Sequence, residues 1–238
     1  MRSFILNIKN DFNNFIKYRI FHMIIIVSLV FALAMGIFPR IDPALFIYIS
    51  IFIIPIITHA ITLFIEKEED TLLSEESCET CYFKVILTKT LSALLLQIIP
   101  LVFYLIVFIF VLNVNFNLWL FTLVYLIATI IHIFIGFAIT LIAKNYISMV
   151  LIYAAFIIFI SFIPFLFLMN FIPESLLYLF IFSPGFLFSI LFENIIFGYL
   201  YSDILLLILA IILPLIYGSL IFFFILKPYY KNILTSRG

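Results

Sequence analysis

Charge is what this chain has least of. Asp, Glu, Lys and Arg together make up 10% of its 238 residues, where a soluble domain carries about a quarter. Glycine occurs six times, cysteine twice and tryptophan once. Two cysteines, Cys78 and Cys81, are too few for a disulfide framework. Twelve basic residues balance twelve acidic ones, so the electrostatic footprint of a nucleic-acid-binding surface is absent. No G-x-x-x-x-G-K-[ST] run is present to cradle phosphates. No small-residue cleavage site follows the first apolar run, so no cleavable leader is expected.

What fills the chain instead is apolar. Hydrophobic residues make up 67% of it and the mean hydropathy is +1.39. The expected class is an all-α polytopic membrane protein, with residues 1–238 as one transmembrane domain.

Residues 2–19 predict an amphipathic helix. Phe4, Ile5, Ile8, Phe12, Phe15 and Ile16 recur at helical spacing, with Lys9, Asn10, Asn13, Asn14 and Lys17 on the other face. Such a helix lies in the headgroup plane. Six spans are expected after it, at 21–38, 44–65, 90–112, 118–143, 146–169 and 204–226. In the first, Ser28, Ala32 and Gly36 form a small-residue ridge that lets another helix approach closely. The second contains Pro55 and His59. Its proline frees a backbone carbonyl that Thr58 or Thr62 could accommodate. In the fourth, Ala128, His132, Gly136 and Thr140 share one face and should point at protein or a cavity. Packing is the ordinary role for such a stripe, and interhelical hydrogen bonding the ordinary role for His59. Residues 171–200 are apolar but broken by Pro173, Glu174, Ser183-Pro184-Gly185, Glu193 and Gly198. Each half is too short to cross, so a re-entrant pair of outer helices is expected.

One long polar island interrupts this pattern, Glu66 to Lys84. It holds seven acids against two lysines, a local charge of −5. It must stand in water between the second and third spans. With six spans, eleven of the twelve Lys and Arg residues fall on the side of the island and both termini, leaving Arg40 opposite. The positive-inside rule then places the island and both termini in the cytoplasm. No Asp, Glu, Lys or Arg falls deep within the spans so drawn, and Glu174, Glu193 and Asp203 fall at the outer boundary. An ion-driven carrier needs ionisable groups near the midplane, and His59 and His132 are the deep candidates.

The run E-K-E-E-D-T-L-L after an apolar span, followed about fifteen residues later by L-T-K-T-L-S opening the next, resembles type-2 ABC transporter permeases. Asn10-Asp11 and Tyr18-Arg19 before the first span look most like the small fluoroquinolone-type drug exporters of that class. Two positions depart from the family pattern. Asp70 stands where a Gly is frequent, and Ser74-Glu75-Glu76 where Thr-Pro is frequent. The resemblance covers essentially the whole chain. It implies an interfacial elbow helix at 2–19, a cytoplasmic coupling segment at 66–84 and the re-entrant pair at 171–200. It further implies that Glu66, Lys67, Glu68, Glu69, Asp70, Thr71, Leu72 and Leu73 couple the spans to a separate ATPase subunit. Helix packing, a dimer seam or the pathway would involve Ser28, Ala32, Gly36, His59, His132 and Gly136. The implied partners are that ATPase, a second permease copy or paralogue, and the bilayer, with no nucleic acid. No catalytic or metal-binding residue is assigned, and ATP-Mg would be bound by the partner.

The implied function is export of a hydrophobic or amphipathic cargo, such as a drug, lipid or peptide, across the cell membrane. The chain itself is then not an enzyme. An ion-coupled carrier or channel is the alternative. An intramembrane peptidase is a weaker one, because the E-E-x-x-x-R pattern finds Thr80 after Glu75-Glu76 and Leu73 after Glu68-Glu69. Cys78 and Cys81 form a single C-x-x-C, which is half of a structural zinc site.

Overall fold

A backbone placed in hydrocarbon must pair every N–H and C=O internally, and the described apolar stretches of this chain do so as helices. The computed structural model describes residues 2–38, 43–68, 82–162, 166, 171–198 and 204–229, with no strand among them. In order they form α1 (Arg2–Lys17), α2 (Ile20–Ile37), α3 (Pro43–Glu68), α4 (Tyr82–Leu96), α5 (Ile98–Ile106), α6 (Leu118–Ile142) and α7 (Tyr146–Phe156). A 3₁₀ segment (Glu174–Phe182), α8 (Pro184–Phe197) and α9 (Ile204–Ile221) complete the set. Helices α5, α7 and α9 each run on into a π-helical turn, at Val107–Val111, Ile157–Phe162 and Phe222–Leu226.

Five stretches are long and apolar enough to cross a membrane: Ile20–Ile37, Ala44–Glu66, Phe83–Val111, Leu118–Ile142 and Ile204–Tyr229. The third of these is α4 and α5 end to end. They part at Gln97 because Pro100 has no N–H to give Leu96, and a proline is tolerated only in the first turn of the new helix. The expected fifth span corresponds to α7 and its π turn, described as far as Phe162. Over Tyr146–Ile160 it is a shorter apolar helix.

Several boundaries differ from the sequence expectation. Helix α3 continues through Glu68 rather than stopping at Ile65, and α4 starts at Tyr82 rather than near Thr90. Both extensions carry charge into helical structure. The rest of the polar island, residues 69–81, lies outside the described residues. The same holds for Arg40, Asp203, Cys78, Cys81, Lys231 and Arg237, and for the side chains of His59, Lys67, Glu68 and Glu174.

Helix α3 is the centre of the bundle. Of its apolar window 73% is buried, against 22% for the α9 span. It packs most extensively on α6, and also on α8 and α2. Helix α6 turns into α7 through a capping box. The Asn145 side chain accepts from the Ser148 N–H at 2.8 Å, and the Ser148 hydroxyl accepts from the Asn145 N–H at 3.0 Å.

The broken segment before α9 is a hairpin with unequal limbs. Its first limb is 3₁₀ and its second, α8, is helical, with Ser183 capping the Phe186 N–H and Pro184 opening the first turn. Gly198 ends α8 in the left-handed conformation, φ 88°, which costs glycine little. The hairpin tip reaches the middle of the bundle. The Tyr217 hydroxyl of α9 donates to the Ile181 carbonyl at 3.2 Å, and the Phe188 ring lies 6.1 Å from His132 of α6. Helix α8 is enclosed by α3, α6 and α9, and Glu193 is 5% exposed. Helix α8 presents most of its surface to neighbouring helices, so Glu193 is buried among them, close to where Phe192 meets Phe121 at the start of α6, ring centroids 5.2 Å apart.

Candidate functional site

The bases of three helices meet at a buried cluster of charge. Asp11 of α1, Glu66 of α3 and Lys89 of α4 have side chains 2%, 3% and 6% exposed. The Lys89 ammonium donates to the Asp11 carboxylate and, at 2.9 Å, to Glu66 Oε1. The Ser92 hydroxyl, one turn along α4, lies 2.7 Å from the other oxygen of Asp11. One cation thus serves two carboxylates, for a net charge of −1.

Local sequence places each member. In α1, Phe4, Ile8, Asp11 and Phe15 fall on one face at helical spacing. Asp11 and Phe15 are buried against the bundle. The expected apolar stripe is therefore split: Ile5 and Ile16, at 62% and 48% exposed, face outward. In α4, Val85, Ile86, Lys89, Ala93 and Leu96 are buried along one side, so Lys89 sits in an apolar phase. Left-handed Arg19, φ 60°, turns the chain from α1 into α2 and lets α1 fold back on α4.

These groups explain why charge lies within α3 and α4. A lone buried charge costs several kcal/mol, and a hydrogen-bonded partner offsets much of that. Glu66 and Lys89 neutralise each other, so α3 and α4 can extend past the purely apolar runs. The signal for the cluster was present in the sequence. Asp11 holds the phase of Phe4, Ile8 and Phe15, and Lys89 that of Ile86 and Ala93. The sequence expectation assigns Asp11 to neither face of α1 and sets Glu66 and Lys89 at the polar island, so the cluster is not foreseen.

A second polar set lies midway through the bundle. The Tyr104 hydroxyl of α5 donates to the Ser50 hydroxyl of α3, and its ring stands 6.5 Å from that of Tyr125 on α6. Tyr125 and Thr129, one turn apart, are fully buried, and their hydroxyls find no hydrogen-bond partner among the described residues. Thr129 shares this lack of a partner with Thr90. Ser28, Thr58, Thr62, Thr88, Ser92 and Thr140 all reach the carbonyl four residues back. His132 Nδ1 lies 2.7 Å from the Ala128 carbonyl.

The other sequence candidates fall as follows. Ser28 and Ala32 are buried as α2 packs on the chain's own α1, α3 and α5, so that face is occupied within the chain. Gly36 is half-buried, and a Cβ there would meet Val111 at 3.6 Å, an ordinary contact. Ala128, His132, Gly136 and Thr140 are all buried, with the Thr140 hydroxyl 3.3 Å from the Ala60 carbonyl of α3. At Pro55 the freed carbonyl is that of Ile51, yet Thr58 and Thr62 donate to Ile54 and Thr58 instead. The hydroxyls therefore do not relieve the proline as expected. Glu66 is sealed in the charge cluster rather than standing in an exposed island. Of the other coupling candidates, Lys67 and Glu68 extend the backbone of α3, while Glu69 to Leu73 lie outside the described residues.

Among the described residues no three His, Cys, Asp or Glu side chains group to hold a metal ion. No protein-family model matches the chain. Comparisons with curated proteins and with solved structures find no match either.

Proposed function

We propose that this chain is the membrane subunit of an ATP-binding-cassette exporter of the type-2 permease class. It would move a hydrophobic or amphipathic cargo outward with energy from a separate ATPase. The observation that carries this reading is the Lys89 contact to both Asp11 and Glu66. Residues 69–81 connect α3 to α4, and the helices on either side of that connection are pinned together at their bases. The amphipathic α1 is pinned to the same point. A push on the connecting segment would reach α1, α3 and α4 as one body, which is what a rigid-body lever requires.

In this reading the basic residues lie on the cytoplasmic side with both termini, and α1 is an elbow helix in the headgroup plane. The 3₁₀ limb and α8 form the re-entrant pair, and α7 belongs to the fifth of six spans. The protein resides in the cell membrane and works as a pair of permease subunits. The test is purification from its native membrane with associated subunits kept, followed by mass identification. An ATPase carrying a phosphate-cradle motif is the expected companion, and reproducible isolation with none would overturn the reading.

One observation favours a second reading, an ion-coupled carrier. The charge cluster and the unpartnered hydroxyls of Tyr125 and Thr129 are polar groups inside an apolar bundle. Such groups mark ion pathways in membrane proteins. Vesicles containing the chain alone separate the two: transport driven by an ion gradient without ATPase supports the carrier.

A further inference from the structure

We propose that α9 binds one anionic diacyl phospholipid, astride a ridge that ends in Lys227. Leu215, Ser219, Phe223 and Lys227 follow one another at four-residue steps down the same face of the helix. A groove runs along each side of this ridge. One, about 290 Å³, lies between α9 and α6 and is walled by Ile127 and Phe134, with Gly218 at its floor. The other, about 320 Å³, runs along Ile212, Ile216 and Phe224. Leu215, Ser219 and Phe223 border both. Two parallel apolar grooves on either side of one ridge match two acyl chains.

Depth and charge agree with that occupant. Leu215 to Lys227 rises about 18 Å at 1.5 Å per residue, close to the roughly 15 Å of one leaflet's hydrocarbon. Lys227 then sits at headgroup level when the tails lie beside Leu215. Its ammonium is held 5.7 Å from the centroid of the Phe223 ring, and Phe223 borders both grooves. The end of α9 that carries it is fixed against the base of α4 by Phe83 on Phe222, ring centroids 6.2 Å apart. Within the grooves, the Ser219 hydroxyl is satisfied by the Leu215 carbonyl at 2.8 Å and offers nothing to a polar ligand. A peptide segment would bring unpaired backbone groups into hydrocarbon. Acyl chains bring none.

Burying tails in a groove already surrounded by lipid gains little hydrophobic energy, so preference must come from the headgroup. One lysine near an anionic surface favours the anionic lipid by about fivefold. The proposal does not depend on the permease reading.

The experiment titrates the full-length protein in detergent with phosphatidylglycerol or phosphatidylcholine and counts bound lipid by native mass spectrometry. Phosphatidylglycerol should bind about fivefold more tightly. Lys227→Gln should bring the two lipids to parity, and Lys227→Arg should keep the preference. Ser219→Trp, at an exposed position, should block both grooves and reduce binding of both lipids, with unchanged helicity by circular dichroism. Glycerol phosphate without tails should not compete. An undiminished phosphatidylglycerol preference in Lys227→Gln would overturn the proposal. So would equal affinity for the single-chain lysophospholipid, which needs only one groove.

Discussion

Lys89 and Glu66 stand 23 residues apart in sequence and 2.9 Å apart in space, both buried, at the feet of the two helices that flank the polar connection. Asp11 takes a second bond from the same ammonium and ties in the amphipathic first helix. This contact ties α3 to α4 and, with the Ser92 bond to Asp11, both to α1.

Replacing Lys89 by methionine leaves two buried carboxylates facing each other. The expected loss of stability is about 3–5 kcal/mol, the range for breaking a buried ion pair by removing one partner. Adding Asp11→Asn and Glu66→Gln to Lys89→Met removes the stranded charges and should restore most of the loss. Unfolding of the detergent-solubilised protein by denaturant measures both. A triple variant no more stable than the single one would show that charge is not what the cluster contributes.

The mid-bundle hydroxyls make the opposite prediction. Tyr104→Phe removes a bond to buried Ser50 and should cost about 1 kcal/mol. Tyr125→Phe and Thr129→Val remove hydroxyls without a partner among the described residues, so stability should hold or rise slightly. Loss of more than about 1 kcal/mol in either of these two variants would mean that those hydroxyls are bonded in the working protein.

Two glycines should respond differently to a side chain. At Gly36 the added methyl meets Val111 at ordinary contact distance, so Gly36→Ala should leave stability within about 0.5 kcal/mol of wild type. At Gly218 a Cβ already lies 3.2 Å from Ile131 Cγ1, and Gly218→Val adds two more carbons. Overpacking there should cost about 1–3 kcal/mol. The same denaturant titration compares them, and a larger loss at Gly36 would reverse the assignment of the close approach.

If the chain couples to an ATPase, charge reversal at Glu68 and Glu69 should separate hydrolysis from transport. Acids at a docking segment set partner choice and encounter rate. In vesicles holding the assembled complex, Glu68→Lys with Glu69→Lys should lower cargo transport per ATP hydrolysed while membrane insertion is unchanged. An unaltered ratio would remove these two residues from the coupling path.

The helical class and four of the five long apolar stretches were legible in the sequence to within a few residues at most ends, because long apolar runs have one stable form in hydrocarbon. The third was legible at its outer end but starts seven residues earlier than expected, at Phe83. The stripe of Ala128, His132, Gly136 and Thr140 was legible too, since small and polar residues at helical spacing on an apolar helix must seek protein. The small-residue ridge on α2 was visible, yet Gly218 on α9 stands nearer a neighbouring side chain than Gly36 does. A ridge shows that a helix can come near; the neighbouring side chain decides whether one does.

Composition and periodicity by themselves determined that this chain is a bundle of apolar helices broken by one acidic connection, because hydrocarbon leaves the backbone no other choice. Only the tertiary structure decided which charges are solvated and which are sealed. Asp11, Glu66 and Lys89 belong to three separate segments, and their burial is favourable only once all three arrive at the same place. Glu193 followed the same rule: its burial comes from the three helices that surround α8.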